Sequence, residues 1–370
     1  MSSFHGRSAK LELRPFEPLQ ASPSQWQALH AFRRLRSQED FPGEPVMSDA
    51  DFESELRVVR PLVEARRVLA LHDDVIAGIM VLNFRRHGSP DSEDYAGHVD
   101  VAGGVARGLR KHGVGRALLA GLAHFMESQG KHTATAKAHL PDGHAWLDSI
   151  GATCKLRMFE NRSPFDQLDW QMLARWARPA GLDAHGLRWE VHCGRVPMET
   201  LAPLMTPFTE LINDQPLDGL DIPRIRYELK DYESWYADLD RRGGDHFLVL
   251  LRDGEQVAAM CDATWDARFP DRMYQQLTAV ARPWRGQGLA KAVKARMLER
   301  VRQCRPEVGT VLTNNAVVNA AMLSINNRLG FGVHKEDRSY QIDLATLRAY
   351  LAQSQVQAGS ARDTRQSSQA

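Results

Sequence analysis

The chain has almost no net charge: its 370 residues carry 47 lysines and arginines against 46 aspartates and glutamates, a formal +1 at pH 7. So balanced a composition lacks the basic surplus that neutralises a phosphate backbone, which argues against nucleic acid as a partner. Long apolar runs are missing too, and the N-terminus has no apolar signal core, so neither a membrane span nor a secretory leader is expected. Cysteine is scarce, and Cys154, Cys193, Cys261 and Cys304 show neither metal nor redox spacing. A reduced, cytoplasmic protein follows. Of the 14 histidines, His185 and His192 beside Cys193 come nearest to a metal cluster, without the tight pairs a zinc site uses. No metal is expected.

What the chain does have is a repeat. Thr278-Ala-Val-Ala-Arg-Pro-Trp-Arg-Gly-Gln-Gly-Leu-Ala290 reads as a strand entering a glycine turn that opens a helix. Leu289, Val293, Met297 and Val301 then draw one apolar stripe at a spacing of four. The first turn of a helix has N–H groups without helical partners, and glycines allow a ligand close to the backbone. With Arg285 beside it and the helix dipole behind it, the turn suits a phosphate or pyrophosphate. Val105-Ala-Arg-Gly-Leu-Arg110-Lys-His-Gly113-Val114-Gly115 repeats the valine-to-arginine spacing and the Arg-x-x-Gly-x-Gly/Ala ending, followed by its own stripe through Leu118, Leu122 and Phe125. Upstream, Arg67–Val81 parallels His246–Met260 as strand, polar turn and strand. Length and repeat together give two similar domains, 9–178 and 186–352, divided at the breaker-rich stretch 178–186 and followed by a polar, disordered tail at 353–370.

The run Arg285-x-x-Gly288-x-Ala290, with Val280 five residues earlier, resembles the acetyl-CoA pyrophosphate loop of the GNAT superfamily of N-acetyltransferases. A second block, Thr313-Asn-Asn315-Ala-Val-Val-Asn319 through Asn326 to Gly330-Phe331, is similar to the family's pantetheine-side strand end and helix. The resemblance implies an α+β fold of two tandem GNAT-like domains, each a twisted, mostly antiparallel sheet with flanking helices and two central strands splayed into an acetyl-CoA cleft. It implies that Val280, Arg285, Gly286, Gln287, Gly288, Leu289, Ala290, Asn315 and Asn319 bind the cofactor, with Val105, Arg110, Gly113, Val114 and Gly115 as a second possible CoA site. The implied reaction is N-acetylation of a small-molecule amine by direct attack, with acetyl-CoA as co-substrate.

The two copies differ. Aligning Gly151 with Gly330 puts Leu140 and Leu147 where the second copy has Asn319 and Asn326, so the first copy reads as degenerate and the second as catalytic. The same division is found in tandem members resembling mycothiol synthase. The second copy also departs from the family pattern. The usual acid, a tyrosine, is replaced by Asn326, which cannot transfer a proton at neutral pH and is expected to act as a polariser that donates a hydrogen bond to the leaving sulfur or to CoA. Tyr340 on the following strand, or Ser324, is the alternative acid, unless a thiol of pKa about 8.5 leaves unaided. The strand Met273–Thr278 carries no carboxylate base, so Tyr274, Gln276 and Thr278 are expected to order a water. Asp214, Asp218 and Asp221 form a loop suited to a cationic acceptor, or else cap a helix starting near Pro223. A non-catalytic acyl-CoA sensor and an aminoacyl-tRNA-dependent transferase are the competing readings; the sequence leaves the oligomeric state open.

Overall fold

The computed structural model describes residues 10–89, 92–179, 186–215 and 219–353. Asp218, the tail from 354 and part of the expected boundary stretch lie outside these residues. The first half of the chain runs β1 (Leu11–Pro15), α1 (Pro23–Asp40), α2 (Asp49–Arg57), β2 (Val63–His72), β3 (Val75–Arg85), β4 (His98–Val105), α3 (Val114–Ser128), β5 (Thr133–Ala138), α4 (Pro141–Ser149) and β6 (Thr153–Pro164). The second runs α5 (Trp170–Trp176), β7 (Leu187–Gly194), α6 (Met198–Leu201), α7 (Met205–Asn213), α8 (Leu229–Arg241), β8 (Asp245–Asp253), β9 (Gln256–Trp265), β10 (Arg272–Val280), α9 (Leu289–Cys304), β11 (Thr310–Ala316), α10 (Ala320–Arg328) and β12 (Gly332–Asp343). Among the described residues, no helix is long and apolar enough to cross a membrane.

The expected helical stripes are the buried ones: Val114, Leu118, Leu122 and Phe125 on α3, and Leu289, Val293, Met297 and Val301 on α9. The strands show the two-residue period instead. On β8, Phe247, Val249 and Leu251 join the core under α9, while Leu248 and Leu250 join a separate core with Phe208 of α7 and Tyr236 of α8. Helices on both faces thus bury both sides of the sheet.

The compact units do not divide at 178–186. One comprises Met1–Lys155 with Arg338–Ala370, the other Leu156–Asp337. In the first, β1 to β5 are closed by the end of β12, antiparallel to β5 from Arg338↔Ala138 to Asp343↔Thr133. In the second, β7 to β11 are closed by β6, antiparallel to β11 from Thr310↔Pro164 to Ala316↔Met158. The strand after each copy's last helix therefore completes the other copy's sheet. A strand's edge hydrogen bonds carry no record of which half of the sequence supplied them, so the repeat placed the boundary without revealing the exchange.

The first unit depends on the borrowed strand. Tyr340, Ile342 and Leu347 are buried in its core with Leu118, Leu122 and Met126. Burying side chains of this kind contributes roughly 1.5–3 kcal/mol each, a large part of the ~5–15 kcal/mol that holds a domain folded. A fragment of residues 1–178 is expected to show no cooperative melt by circular dichroism, and a peptide of residues 338–353 added in trans is expected to restore one. A sharp melt of 1–178 alone would contradict the exchange.

Candidate active site

In the second unit, β10 and β11 run parallel but pair only from Arg272↔Thr310 to Gln275↔Thr313. Beyond that they part, since β10 continues to Val280 and β11 to Ala316. The β11 edge of β10 past Gln275 thus faces a cleft. β10 also slips register against β9 between Gln275 and Thr278, a bulge that bends the strand. At the cleft's outer end the chain turns through Gly286 (φ +80°) and Gly288 (φ +77°), and Gly288 caps α9 in the left-handed region. That conformation favours glycine and points the first amides of α9 outward. Arg285 donates from Nε to the Val280 carbonyl (3.0 Å), which fixes its guanidinium beside the turn. Gly286 and Gln287 are exposed, Ala290 is half-buried, and Leu289 anchors the turn in the core.

On the cleft wall, the buried acceptor Gln275 Oε1 has no protein partner among the described residues. A buried polar atom left unpaired is costly, so its persistence points to a ligand that bonds it. Asn315 and Asn319 line the cavity; Asn319 Oδ1 also caps α10 by accepting from Met322 N (3.2 Å). The open turn, the parted strands and the unpaired acceptor fit a pyrophosphate with an extended amide-bearing arm. Asn326 is fully buried and donates from Nδ2 to Asn315 Oδ1, so it supports a cleft residue and does not itself line the cavity.

The cleft opens into a cavity of about 850 Å³, lined entirely by residues of this unit. On its far wall stands a residue that sequence reasoning missed. Asp262, on β9 opposite the bulge, accepts the Leu277 amide at 2.7 Å on Oδ1. Burial raises its carboxyl to about 7, against the lowering pull of that amide, yet 19% of the side chain stays exposed and reachable from the cavity. Behind it, His246 Nε2 lies 3.9 Å from Oδ2. Burial pushes His246 down to about 3, so the imidazole is neutral and supplies no charge to hold Asp262 ionised. Tyr236 Oη fixes the ring through a 2.8 Å hydrogen bond with Nδ1 and accepts from Val196 N (3.0 Å). The signal was present: Asp262 is the one carboxylate in the apolar run 257–263. A strand buried on both faces rarely carries a lone carboxylate without use for it.

Three expectations need correction. Tyr340 does not belong to this cleft: it pairs with Ala136 in the first unit and is buried in that unit's core. Asp214 does not face an acceptor, because Arg282 and Arg285 bind its carboxylate (2.7 and 2.9 Å) and hold it below the usual carboxylate range. It sits beside the glycine turn, on the arginine that follows Val280 by five residues. No helix starts at Pro223; α8 begins at Leu229, with a capping box of Glu228 and Asp231, and Asp221 is exposed on the irregular stretch before it.

The first unit repeats the frame with different contents. β4 and β5 pair only from His98↔Thr133 to Val101↔Ala136. Gly113 caps α3 at φ +81°, and Lys111, a non-glycine, takes φ +66° at the position of Gly286. Arg110 reaches the Val105 carbonyl (3.3 Å) and the Asp142 carboxylate (3.0 Å), as Arg285 reaches Val280 and Asp214. Further side chains of the same unit take up backbone groups at this turn. Arg36 donates to the Val105 carbonyl (3.0 Å), Glu39 accepts the Arg107 amide, and Phe41 stacks on His139. Trp146 packs where a Cβ on Gly115 would point. Leu140 stands at the α4 N-cap with no side-chain bond, and Leu147 is buried in the core. β3 and β4 pair without a bulge, and counting from the Gly78↔Val105 and Ala259↔Val280 pairs puts Val81 at the register position of Asp262.

Among the described residues, no group of three or more histidines, cysteines or acids is placed to hold a metal. Residues 208–331 match the sequence model of the Acetyltransferase (GNAT) family. No curated protein matches the chain. Among solved structures, a tandem GNAT protein from the clavulanic acid biosynthesis pathway is similar with a TM-score of 0.71 and 21% identity, over 90% of this chain and 99% of that one. A GCN5-related N-acetyltransferase from Sphaerobacter thermophilus is similar at 0.60 and 14% identity, over 90% and 96%. A GCN5-related glucosamine N-acetyltransferase region of a fungal multi-domain GH3 beta-N-acetylglucosaminidase is similar at 0.62 and 13% identity, over 91% of this chain and 38% of that one. Likeness at these identities establishes the fold.

Proposed function

From the tandem GNAT acetyltransferase fold of this chain we infer that its second unit moves an acetyl group from acetyl-CoA to the amine of a small molecule. One observation carries the reading: the amide-rich turn and the parted strands lead into a cavity whose far wall holds a carboxylate poised near 7. A primary amine near pKa 10.4 is almost wholly protonated at pH 7, and releasing its proton costs about 4.6 kcal/mol. A base titrating near the working pH does this best. Leu277 fixes Oδ1 of Asp262, and the carboxylate takes the ammonium proton from the cavity side.

Acetyl-CoA, when bound, supplies a thioester whose acetyl carbon accepts the amine nitrogen while the carbon–sulfur bond breaks. The amine loses two protons overall; one ends on the thiol and the other leaves through Asp262 to solvent. Arg285, the turn amides of Gln287 to Ala290, and Asn315 with Asn319 hold the cofactor. With Tyr340 in the other unit and Asn326 without a transferable proton, the thiol leaves without a dedicated acid. The first unit is a structural partner whose cleft groups are already bonded. Isothermal titration with acetyl-CoA, followed by thiol release over a panel of amines, tests the reading. Binding with amine-dependent release is expected; binding without release from any amine would favour an acyl-CoA sensor and overturn it.

A further inference from the structure

The acceptor end of the cavity is not a generic polar pocket. Tyr227, Tyr232 and Trp235 line it as a continuous aromatic wall, with ring centroids 5.9 Å apart for Tyr227 and Tyr232 and 5.8 Å for Tyr232 and Trp235, the second pair edge to face. The wall rests on the core under α8, and Trp235 meets His246 edge-on at 4.9 Å, so the rings are fixed by the same residues that stand behind Asp262. The charge of Asp262 raises both tyrosine hydroxyls after burial has done so, which places the two phenols within electrostatic reach of the carboxylate. Aromatic faces attract a cation most when water is excluded, and they bury flat apolar surface.

The lining cations do not select an acid. Arg268 grips Asp266 through Nε and Nη2 (2.9 and 2.7 Å), and Arg242 lies 3.6 Å from the same carboxylate. A substrate carboxylate would have to displace Asp266 to use them. The cavity must also admit the acetyl-bearing arm, which leaves room for a compact acceptor.

We propose that this pocket takes a primary amine on a compact aromatic or apolar skeleton without a carboxylate, the ammonium directed at Asp262 and the skeleton laid on the rings of Tyr227, Tyr232 and Trp235. The proposal rests on the acetyl-transfer reading for its biological sense but can be tested by binding alone. Phenethylamine and phenylalanine differ only by the α-carboxylate, and glucosamine offers an amine on a hydroxylated ring of similar size. Each is titrated calorimetrically into the full chain with CoA present, and acetylation is followed in parallel.

Phenethylamine is expected to bind at least tenfold tighter than either comparator, with kcat/KM in the same order. Tyr232→Leu, which keeps apolar volume and removes the π face, is expected to raise its KM at least fivefold with kcat within twofold. Tyr232→Phe is expected to restore wild-type KM, and acetyl-CoA affinity is expected to be the same in all three proteins. Selective amine binding without any acetyl transfer would leave this assignment standing and overturn the enzymatic reading. Preference for glucosamine or phenylalanine, or an unchanged KM in Tyr232→Leu, would overturn the pocket assignment while leaving acetyl transfer intact.

Discussion

Asp262→Asn is expected to lower kcat/KM by about 10²–10⁴-fold and, at pH 8, to melt higher than the wild-type protein. The two effects have one cause. Burial holds the folded carboxyl's proton up to about 7, whereas an exposed aspartate releases it near ~3.9. Between those values the folded state binds more protons than the unfolded, so stability falls as pH rises through the interval. Below ~4 both states are protonated and the penalty is absent; above 7 it is complete, on the order of a few kcal/mol. Asparagine removes the charge and keeps an oxygen to accept the Leu277 amide. At roughly 2–4 °C per kcal/mol for a unit of this size, the gain at pH 8 is several degrees and shrinks towards pH 4. Wild-type kcat/KM is expected to rise with pH and level off above about 7, a limb missing from the variant. Melting curves at pH 5 and 8 with a pH–rate profile check both. A variant that keeps the acidic limb would remove Asp262 from the base role.

The second large effect separates the two units. Arg285→Ala with Gly288→Asp is expected to abolish saturable acetyl-CoA binding and turnover. The arginine is a charge-assisted contact worth about 1.5–3 kcal/mol, and the aspartate brings negative charge and bulk to a turn that holds phosphate. Arg110→Ala with Gly113→Asp is expected to leave the rate at the wild-type level, because in that unit Arg36 already bonds the strand-end carbonyl and Glu39 the turn amide. Both glycines sit at φ near +80°, so the backbone strain is matched, and melting temperatures control for it. Two working sites would instead make each pair remove about half the activity. That outcome would end the assignment of chemistry to the second unit.

Much of this was legible in the residues. The Arg-x-x-Gly-x-Gly/Ala turns, the valine five residues before each, and the apolar stripes behind them are local patterns set by backbone sterics and helical period, and the left-handed glycines and buried stripes stand where the patterns put them. The leucines at 140 and 147 already marked the first copy as altered, and the structure pairs them with the cap and buried positions of Asn319 and Asn326. Tertiary structure alone decided the rest. Strand exchange between the copies is a choice of hydrogen-bonding edge, which no local pattern encodes, and it moved Tyr340 out of the second cleft. Asp214 looks like an amine-binding charge in the sequence, but folding sets two arginines beside it. Asp262 lies on β9, one strand away from the glycine turn, so no local pattern links the two. Only the pairing of β9 with a bulged β10, and the burial that follows, turns an ordinary aspartate into a carboxyl that titrates near neutrality.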